Sequence, residues 1–362
     1  MRKRIIIAGG GTGGHIFPAI AIANALKKIE ENTQILFVGA RGKMEMEKVP
    51  QAGYEIMGLD IAGFNRSSLI KNIGLPFKLV KSFFQVRGII NQFKPHAVVG
   101  VGGYSSFPVL RYAQVKGIPT FLHESNSFAG KSNILLGKKA TKVFVATDGM
   151  EQFFSANKIM ITGNPVRKSI VETAITKSEA LKYFGMEEER KTLLIVGGSL
   201  GARSINEAVE EGLNLLLEHN LQIIWQTGKT YEPKASQLTA GKRYVWARDF
   251  ITHMENGYAA ADMVISRAGA MAIAELCVVK KPVLFVPYPF AAEDHQTVNA
   301  LNLVKKNAAL MVKDSEAGKK MISMIIDLSK NEEQQNRLEQ NIAQHAVVNA
   351  DEVIAKEIFK TI

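Results

Sequence analysis

The chain has 362 residues, 46% of them hydrophobic, with mean hydropathy near zero; this fits a soluble globular protein with two cores rather than one. The densest apolar stretch, 282–287, is punctuated by proline and far short of the roughly 20 residues that a spanning helix needs. Cys277 is the single cysteine, which excludes an internal disulfide and a cysteine-based metal site. Residues 1–163 hold 21 Lys and Arg against 9 Asp and Glu, whereas 164–362 hold 24 against 25. So one-sided a basic excess points to nucleic acid, an anionic membrane surface or anionic substrates.

In chain order, the first half predicts strands at 4–8, 34–39, 97–101, 120–123 and 142–146, with helices at 16–28, 43–52, 76–93 and 106–116. A turn-rich joint follows at Gly163-Asn164-Pro165-Val166. The second half predicts strands at 192–196, 221–226, 243–246, 263–266 and 283–287, with helices at 204–218, 255–261, 270–278 and 297–305. A last helix near 351–360 has no strand after it and reads as a closing helix. Alternating strands and helices imply an α/β protein built from doubly wound parallel sheets. The expected division is 1–163, 164–340 and a closing segment 341–362, the two sheet domains facing each other across a cleft. The few apolar residues before the first glycines are too short for a signal peptide, so a cytoplasmic protein is expected.

Two strand–glycine loop–helix units carry the chemistry. The first runs Ile5-Ile6-Ile7-Ala8-Gly9-Gly10-Gly11-Thr12-Gly13-Gly14-His15, and the second Leu193-Leu194-Ile195-Val196-Gly197-Gly198-Ser199-Leu200-Gly201. Glycines allow close backbone approach, and a helix N-terminus favours a diphosphate. Gly9-x-Gly11-x-x-Gly14 formally matches a dinucleotide fingerprint, but the second strand ends Gly39-Ala40-Arg41 without the acid that binds a ribose. Pro18 fits the first turn of the helix and leaves His15 at the loop–helix junction. Gly100-Val101-Gly102-Gly103-Tyr104 and His123-Glu124-Ser125-Asn126 each follow a strand and should share that sheet edge. In the second half, Arg267-Ala268-Gly269-Ala270 opens a helix with Glu275 in reach of ribose hydroxyls, and Gln296 and Asn299 share a helix face that suits sugar hydroxyls. No Asp-x-Asp motif is present; helix dipoles and backbone amides would stabilise a diphosphate leaving group instead, with no metal and no cofactor.

Taken in order, these motifs, with Gly163-Asn164-Pro165-Val166-Arg167 and Asp294-His295-Gln296-x-x-Asn299-Ala300, resemble the bacterial peptidoglycan N-acetylglucosaminyltransferases of glycosyltransferase family 28. The resemblance spans nearly the whole chain and departs at Ser125, where the family usually has glutamine. It implies a GT-B fold and metal-independent transfer of GlcNAc from UDP-GlcNAc to the 4-hydroxyl of lipid I, giving lipid II with inversion. It also implies a donor site of Thr12, Gly13, Gly14, Asn126, Arg167, Ser199, Ile251, Ala270, Met271, Ala272, Ile273, Ala274, Glu275, Gln296 and Asn299. In that site Ser199 meets a phosphate, Ile251 the uracil, Glu275 the ribose, and Gln296 with Asn299 the sugar. His15 is the expected base, with Glu124 second, since an imidazole titrating near neutrality suits proton abstraction. Gly11, Gly102, Gly103 and Tyr104 are expected to cradle the acceptor diphosphate.

Between Asp60 and Glu124 there is no acidic residue, and the stretch 69–84 mixes apolar side chains with Lys71, Lys78 and Lys81. That composition suits a peripheral seat on the anionic inner leaflet, at the cytoplasmic face of the cell membrane. Partners among cell-wall synthesis and division proteins are left open. The competing readings are a UDP-GlcNAc 2-epimerase or other glycolipid glycosyltransferase on the same fold, an NADP-linked oxidoreductase using Arg41, and a non-catalytic membrane-surface scaffold or nucleic-acid binder. The sugar-compatible second half argues against nucleic acid.

Overall fold

The computed structural model describes residues 2–63, 74–198, 200–291 and 294–362. The described chain forms two compact units, one running to Arg167 and completed by Asn349–Ile362, the other Lys168–Val348.

The first unit contains β1 (Arg4–Ala8), α1 (Gly13–Ile29), β2 (Gln34–Ala40), α2 (Glu45–Gln51), β3 (Glu55–Leu59), α3 (Leu75–Phe93), β4 (Ala97–Gly100), α4 (Ser106–Val115), β5 (Thr120–Glu124), α5 (Lys131–Gly137), β6 (Lys142–Val145) and β7 (Ile159–Ile161). Its seven strands pair in parallel in the order β3-β2-β1-β4-β5-β6-β7. Ile5, Ile6, Ile7 and Ala8 are fully buried, as a central strand covered by helices on both faces must be. The order reverses between β1 and β4, so the helices that follow them, α1 and α4, join the cores on opposite faces of the sheet.

The second unit contains α6 (Lys168–Val171), α7 (Lys177–Phe184), β8 (Lys191–Val196), α8 (Arg203–Glu218), β9 (Leu221–Gln226), α9 (Glu232–Thr239), β10 (Val245–Arg248), α10 (Met254–Ala260), β11 (Met263–Ser266), α11 (Ala270–Val279), β12 (Val283–Phe285), α12 (His295–Val304), β13 (Leu310–Met311), α13 (Ala317–Lys330) and α14 (Glu332–Ala343). Its six strands are also parallel, ordered β10-β9-β8-β11-β12-β13, with the reversal between β8 and β11. Helix α8 lies tight on α13: a Cβ on Gly212 would sit 2.6 Å from Ile322 Cγ1. Helix α7 starts on a capping box, in which the Thr176 hydroxyl accepts from the Glu179 N–H and the Glu179 carboxylate accepts from the Thr176 N–H.

Two expectations change. Helix α1 begins at Gly13 rather than 16, because Thr12 is its N-cap and its carbonyl accepts from the N–H groups of His15 and Ile16. Pro18 therefore lies inside the helix, not in its first turn, and His15 is itself in that first turn. The sequence reading also set 341–362 apart. The structure instead places α15 (Ala350–Thr361) in the first unit, where Ile354, Ala355 and Ile358 join the core that Ile16, Ile22 and Leu26 of α1 build with β1. Ile354→Ala should remove roughly 2–5 kcal/mol of stability through the cavity it leaves. A urea midpoint equal to that of the parent chain would show that α15 contributes little to the first core.

Candidate active site

In the first unit, the loops after β1 and β4 interlock backbone on backbone. A Cβ on Gly103 would lie 2.4 Å from the Gly10 carbonyl oxygen, and one on Gly9 would lie 2.6 Å from the Gly102 carbonyl oxygen. Both Gly102 (φ 95°) and Gly103 (φ 82°) are in the left-handed region, so only glycine fits there without strain. The His15 ring rests on this junction: a Cβ on Gly102 would sit 2.7 Å from its Cε1. Gly13, Gly14 and His15 form the first turn of α1; the His15 N–H meets the Thr12 carbonyl, whereas the N–H groups of Gly13 and Gly14 precede any carbonyl of their own helix.

Beneath the first loop lies a group the sequence reading did not single out. Glu45, the first residue of α2, is 1% exposed. Its carboxylate accepts the Gly11 N–H at 2.8 Å and the Ala40 N–H at 3.0 Å. It occupies the space that side chains at Gly10 and Gly39 would need. The Gly11 amide, expected to help cradle a diphosphate, is thus already committed to Glu45. Tyr104 stands over this corner, and burial, then the nearby Glu45 charge, raises its phenol above the ordinary value.

The β5 edge holds His123, Glu124, Ser125 and Asn126. Both oxygens of Glu124 are occupied: Oε1 accepts from the Asn126 N–H and Nδ2, and Oε2 from the Gly130 N–H and Asn133 Nδ2, at 2.8–3.2 Å. The carboxylate thus shapes the 125–130 loop. His123 is fully buried, with Ser125 Oγ 3.4 Å from its Nδ1. Asn164 donates to the Ser125 carbonyl, which seats the 163–167 segment on this loop. Farther along, the Arg167 guanidinium lies 4.8 Å over the Phe17 ring.

In the second unit, Ser199 lies outside the described residues, but the glycine loop around it repeats the interlock. A Cβ on Gly201 would meet the Thr227 carbonyl oxygen at 2.1 Å, and one on Gly228 the Leu200 carbonyl oxygen at 2.4 Å. A neutral side chain braces this loop: Gln226 donates to the Gly198 carbonyl and accepts the Ile251 N–H. The loop after β11 ends on Gly269, the N-cap of α11, so Ala270, Met271, Ala272, Ile273 and Ala274 form the first turns of that helix. Glu275 is buried and accepts from the Tyr258 hydroxyl at 3.0 Å. Arg267 donates to the Val286 and Pro287 carbonyls and pairs with Asp314, which also accepts from Ser204. These contacts tie the ends of β11 and β12 to the start of α8. On α12, Gln296 accepts the Tyr288 N–H at 3.0 Å and Asn299 donates to the Ala268 carbonyl at 3.3 Å.

The expected residues thus divide by unit. Gly11, Thr12, Gly13, Gly14, His15, Gly102, Gly103, Tyr104, Glu124, Asn126 and Arg167 belong to the first, and Ile251, Ala270–Glu275, Gln296 and Asn299 to the second, the sheet-edge residues of each at the carboxyl end of its strands. Glu45, Gln226 and Tyr258 were missed because each acts across a long sequence separation that no local pattern records. Among the described residues, no three His, Cys, Asp or Glu side chains gather as a metal-holding group.

The fold and these loops define a protein of two Rossmann-like parallel-sheet units, and its likeness to known proteins gives the family. Residues 5–145 match the glycosyltransferase family 28 N-terminal domain and 192–356 its C-terminal domain. The chain belongs to glycosyltransferase family 28. It is 53% identical, over 99% of its length and 96% of the other's, to the Phocaeicola vulgatus UDP-N-acetylglucosamine--N-acetylmuramyl-(pentapeptide) pyrophosphoryl-undecaprenol N-acetylglucosamine transferase. The crystal structure of Acinetobacter baumannii MurG is similar at 29% identity and a TM-score of 0.78, covering 99% of both chains. A Neisseria meningitidis UDP-GlcNAc 2-epimerase bound to UDP-GlcNAc shares the fold alone, at 14% identity and a TM-score of 0.69 over 99% of this chain and all of the other.

His123 also has a pH signature. Burial, as the largest cause, takes its imidazole from 6.5 down to about 4; a backbone contact with Gly163 opposes this, the charge of His15 adds to it, and Asn164 opposes it. The folded-state value is depressed, so between these two values the unfolded chain binds a proton that the folded chain does not. Stability should therefore rise with pH through that window, by on the order of 3 kcal/mol, and be flat above it as far as His123 is concerned. His123→Gln should remove that slope, measured as unfolding free energy at pH 4.5, 5.5 and 7; an unaltered slope would show that other groups set it.

Proposed function

We propose that the chain transfers GlcNAc from UDP-GlcNAc to the 4-hydroxyl of MurNAc in lipid I, an undecaprenyl-diphosphate-linked acceptor, and forms lipid II as the last cytoplasmic step of peptidoglycan precursor synthesis. The observation that carries this reading is the setting of His15, half-buried in the first turn of α1 and held against Gly102 of the loop after β4. Full-length kinship with a relative named for that reaction supports it.

His15 takes the proton from the acceptor hydroxyl as its oxygen attacks C1 of GlcNAc. The new C1–O bond forms as the bond from C1 to the β-phosphate oxygen breaks. A single displacement inverts the anomeric carbon, and UDP leaves. Glu124 is the weaker candidate for the base, because its oxygens already serve three donors of the 125–130 loop and Asn133 of α5.

The charge growing on the diphosphate is met by the N-terminus of α11 and by the 197–201 loop with Ser199, as fixed dipoles that need no reorganisation. Ile251 faces the uracil, Glu275, fixed by Tyr258, takes the ribose hydroxyls, and Gln296 with Asn299 takes the sugar. Thr12, Gly13, Gly14, Asn126 and Arg167 complete the donor contacts from the first unit. Gly102, Gly103 and Tyr104 receive the acceptor diphosphate.

Release of UDP should need both UDP-GlcNAc and a lipid I analogue, and should persist in EDTA. His15→Ala should lower turnover by roughly a hundredfold or more. UDP released without acceptor would favour an epimerase, and near-normal turnover of a folded His15→Ala chain would remove His15 from the base role.

The acceptor is membrane-anchored, and α3 offers a seat at the cytoplasmic leaflet. Phe77, Val80 and Phe84 are 79%, 56% and 68% exposed, and their spacing aligns them on one helix face. Lys78 flanks them, whereas Lys81 pairs with Asp60 at 2.8 Å and Lys71 lies outside the described residues. Among the described residues no helix is long and apolar enough to cross a membrane. Apolar insertion with a basic flank is the form a surface-bound helix takes. Replacing Phe77 and Phe84 together by Ser should abolish co-sedimentation with phosphatidylglycerol vesicles while leaving UDP-GlcNAc binding intact. Undiminished co-sedimentation would place the membrane contact elsewhere.

A further inference from the structure

We propose that Glu45 is a positioning residue for the transfer, acting on His15 through the two glycine loops. The inference rests on His15 being the base. A continuous set of contacts carries it. The buried carboxylate bonds the N–H groups of Gly11 and Ala40 and so ties the first glycine loop to the end of β2. Gly10, whose missing side chain makes room for that carboxylate, packs its carbonyl against Gly103. Gly102, next in line, bears the His15 ring. Each of these contacts is closer than a side chain would permit, so a shift at Glu45 has no slack to absorb it before the imidazole.

A carboxylate suits this place better than an amide. It accepts from both N–H groups at once, and hydrogen bonds to a charged acceptor are the stronger kind. A glutamine of the same shape must turn one NH2 toward an N–H group, which removes one bond and leaves a buried donor unsatisfied. The charge also disfavours a diphosphate placed directly on the Gly10–Gly11 backbone above it.

The test is a double-mutant cycle of Glu45→Gln and His15→Ala, with UDP release from a lipid I analogue as readout. Glu45→Gln alone should lower kcat by roughly tenfold to a hundredfold, the scale set by small misplacements of a reacting group, with the KM for UDP-GlcNAc within about twofold of the parent. In the His15→Ala background the same substitution should have little further effect, because its consequence is already lost. Losses that multiply, or a parent-like kcat in folded Glu45→Gln, overturn the proposal. Glu45→Asp, which keeps the charge but cannot reach both N–H groups, is run alongside. If neither variant folds, Glu45 is a structural residue and the proposal falls. A parent-like His15→Ala chain beside an impaired Glu45→Gln chain would instead overturn the base assignment.

Discussion

Both candidate half-sites depend on one constraint: two loops at the carboxyl edge of a parallel sheet must meet without side chains between them. In the first unit Gly9 and Gly10 meet Gly102 and Gly103, and in the second Gly201 meets Thr227 and Gly228. At these separations even a methyl group would overlap a carbonyl oxygen, and the left-handed backbone of Gly102, Gly103, Gly201 and Gly228 excludes other residues independently. The parallel topology brings the loops to one place. Every strand delivers its following loop to the same edge, and the reversal of strand order decides where a ligand can enter.

The cores explain why that edge is stiff. Central strands such as β1 and β8 carry uninterrupted apolar runs, because helices cover both faces. In the first unit the covering is completed by the far end of the sequence: Ile354 and Ile358 of α15 pack with Ile22 and Leu26 of α1. Since α1 also carries His15, stability in that core and the placement of the candidate base share one helix. In the second unit Gly212 lets α8 approach Ile322 of α13, and the Arg267–Asp314–Ser204 contacts hold the start of α8 against the ends of β11 and β12.

Central strands were legible in the sequence because dense apolar runs followed by glycine have few other readings. The expected 4–8 is β1 to the residue, and 221–226 is β9. Edge strands were less so: β10 was expected two residues early, at 243–246, while β3, which alternates exposed and half-buried residues around Gly58, and β7, with only three residues, were not foreseen. The start of α1 was misjudged because Gly13 and Gly14 have poor intrinsic helix propensity; the Thr12 carbonyl and the docking of the helix on its core outweigh that deficit. The sheet-edge positions of His15 and Glu124 followed from their place after strands. Their environments did not, since the donors around Glu124 reach it from Asn126, Gly130 and Asn133, a loop and helix whose course the sequence left open.

The supports of the two loops differ in charge, and the difference tracks chemistry. Gln226 bridges a carbonyl and an N–H and leaves the second-unit loop neutral, so an arriving diphosphate meets only favourable dipoles there. Glu45 bridges two N–H groups and places a buried negative charge under the first-unit loop. A leaving diphosphate on that loop would be repelled, whereas an imidazole that gains a proton would not. On the proposed function, two loops that look alike in sequence are thereby suited to different tasks, one to the leaving group and one to the base, by one carboxylate and one carboxamide that lie outside both glycine motifs.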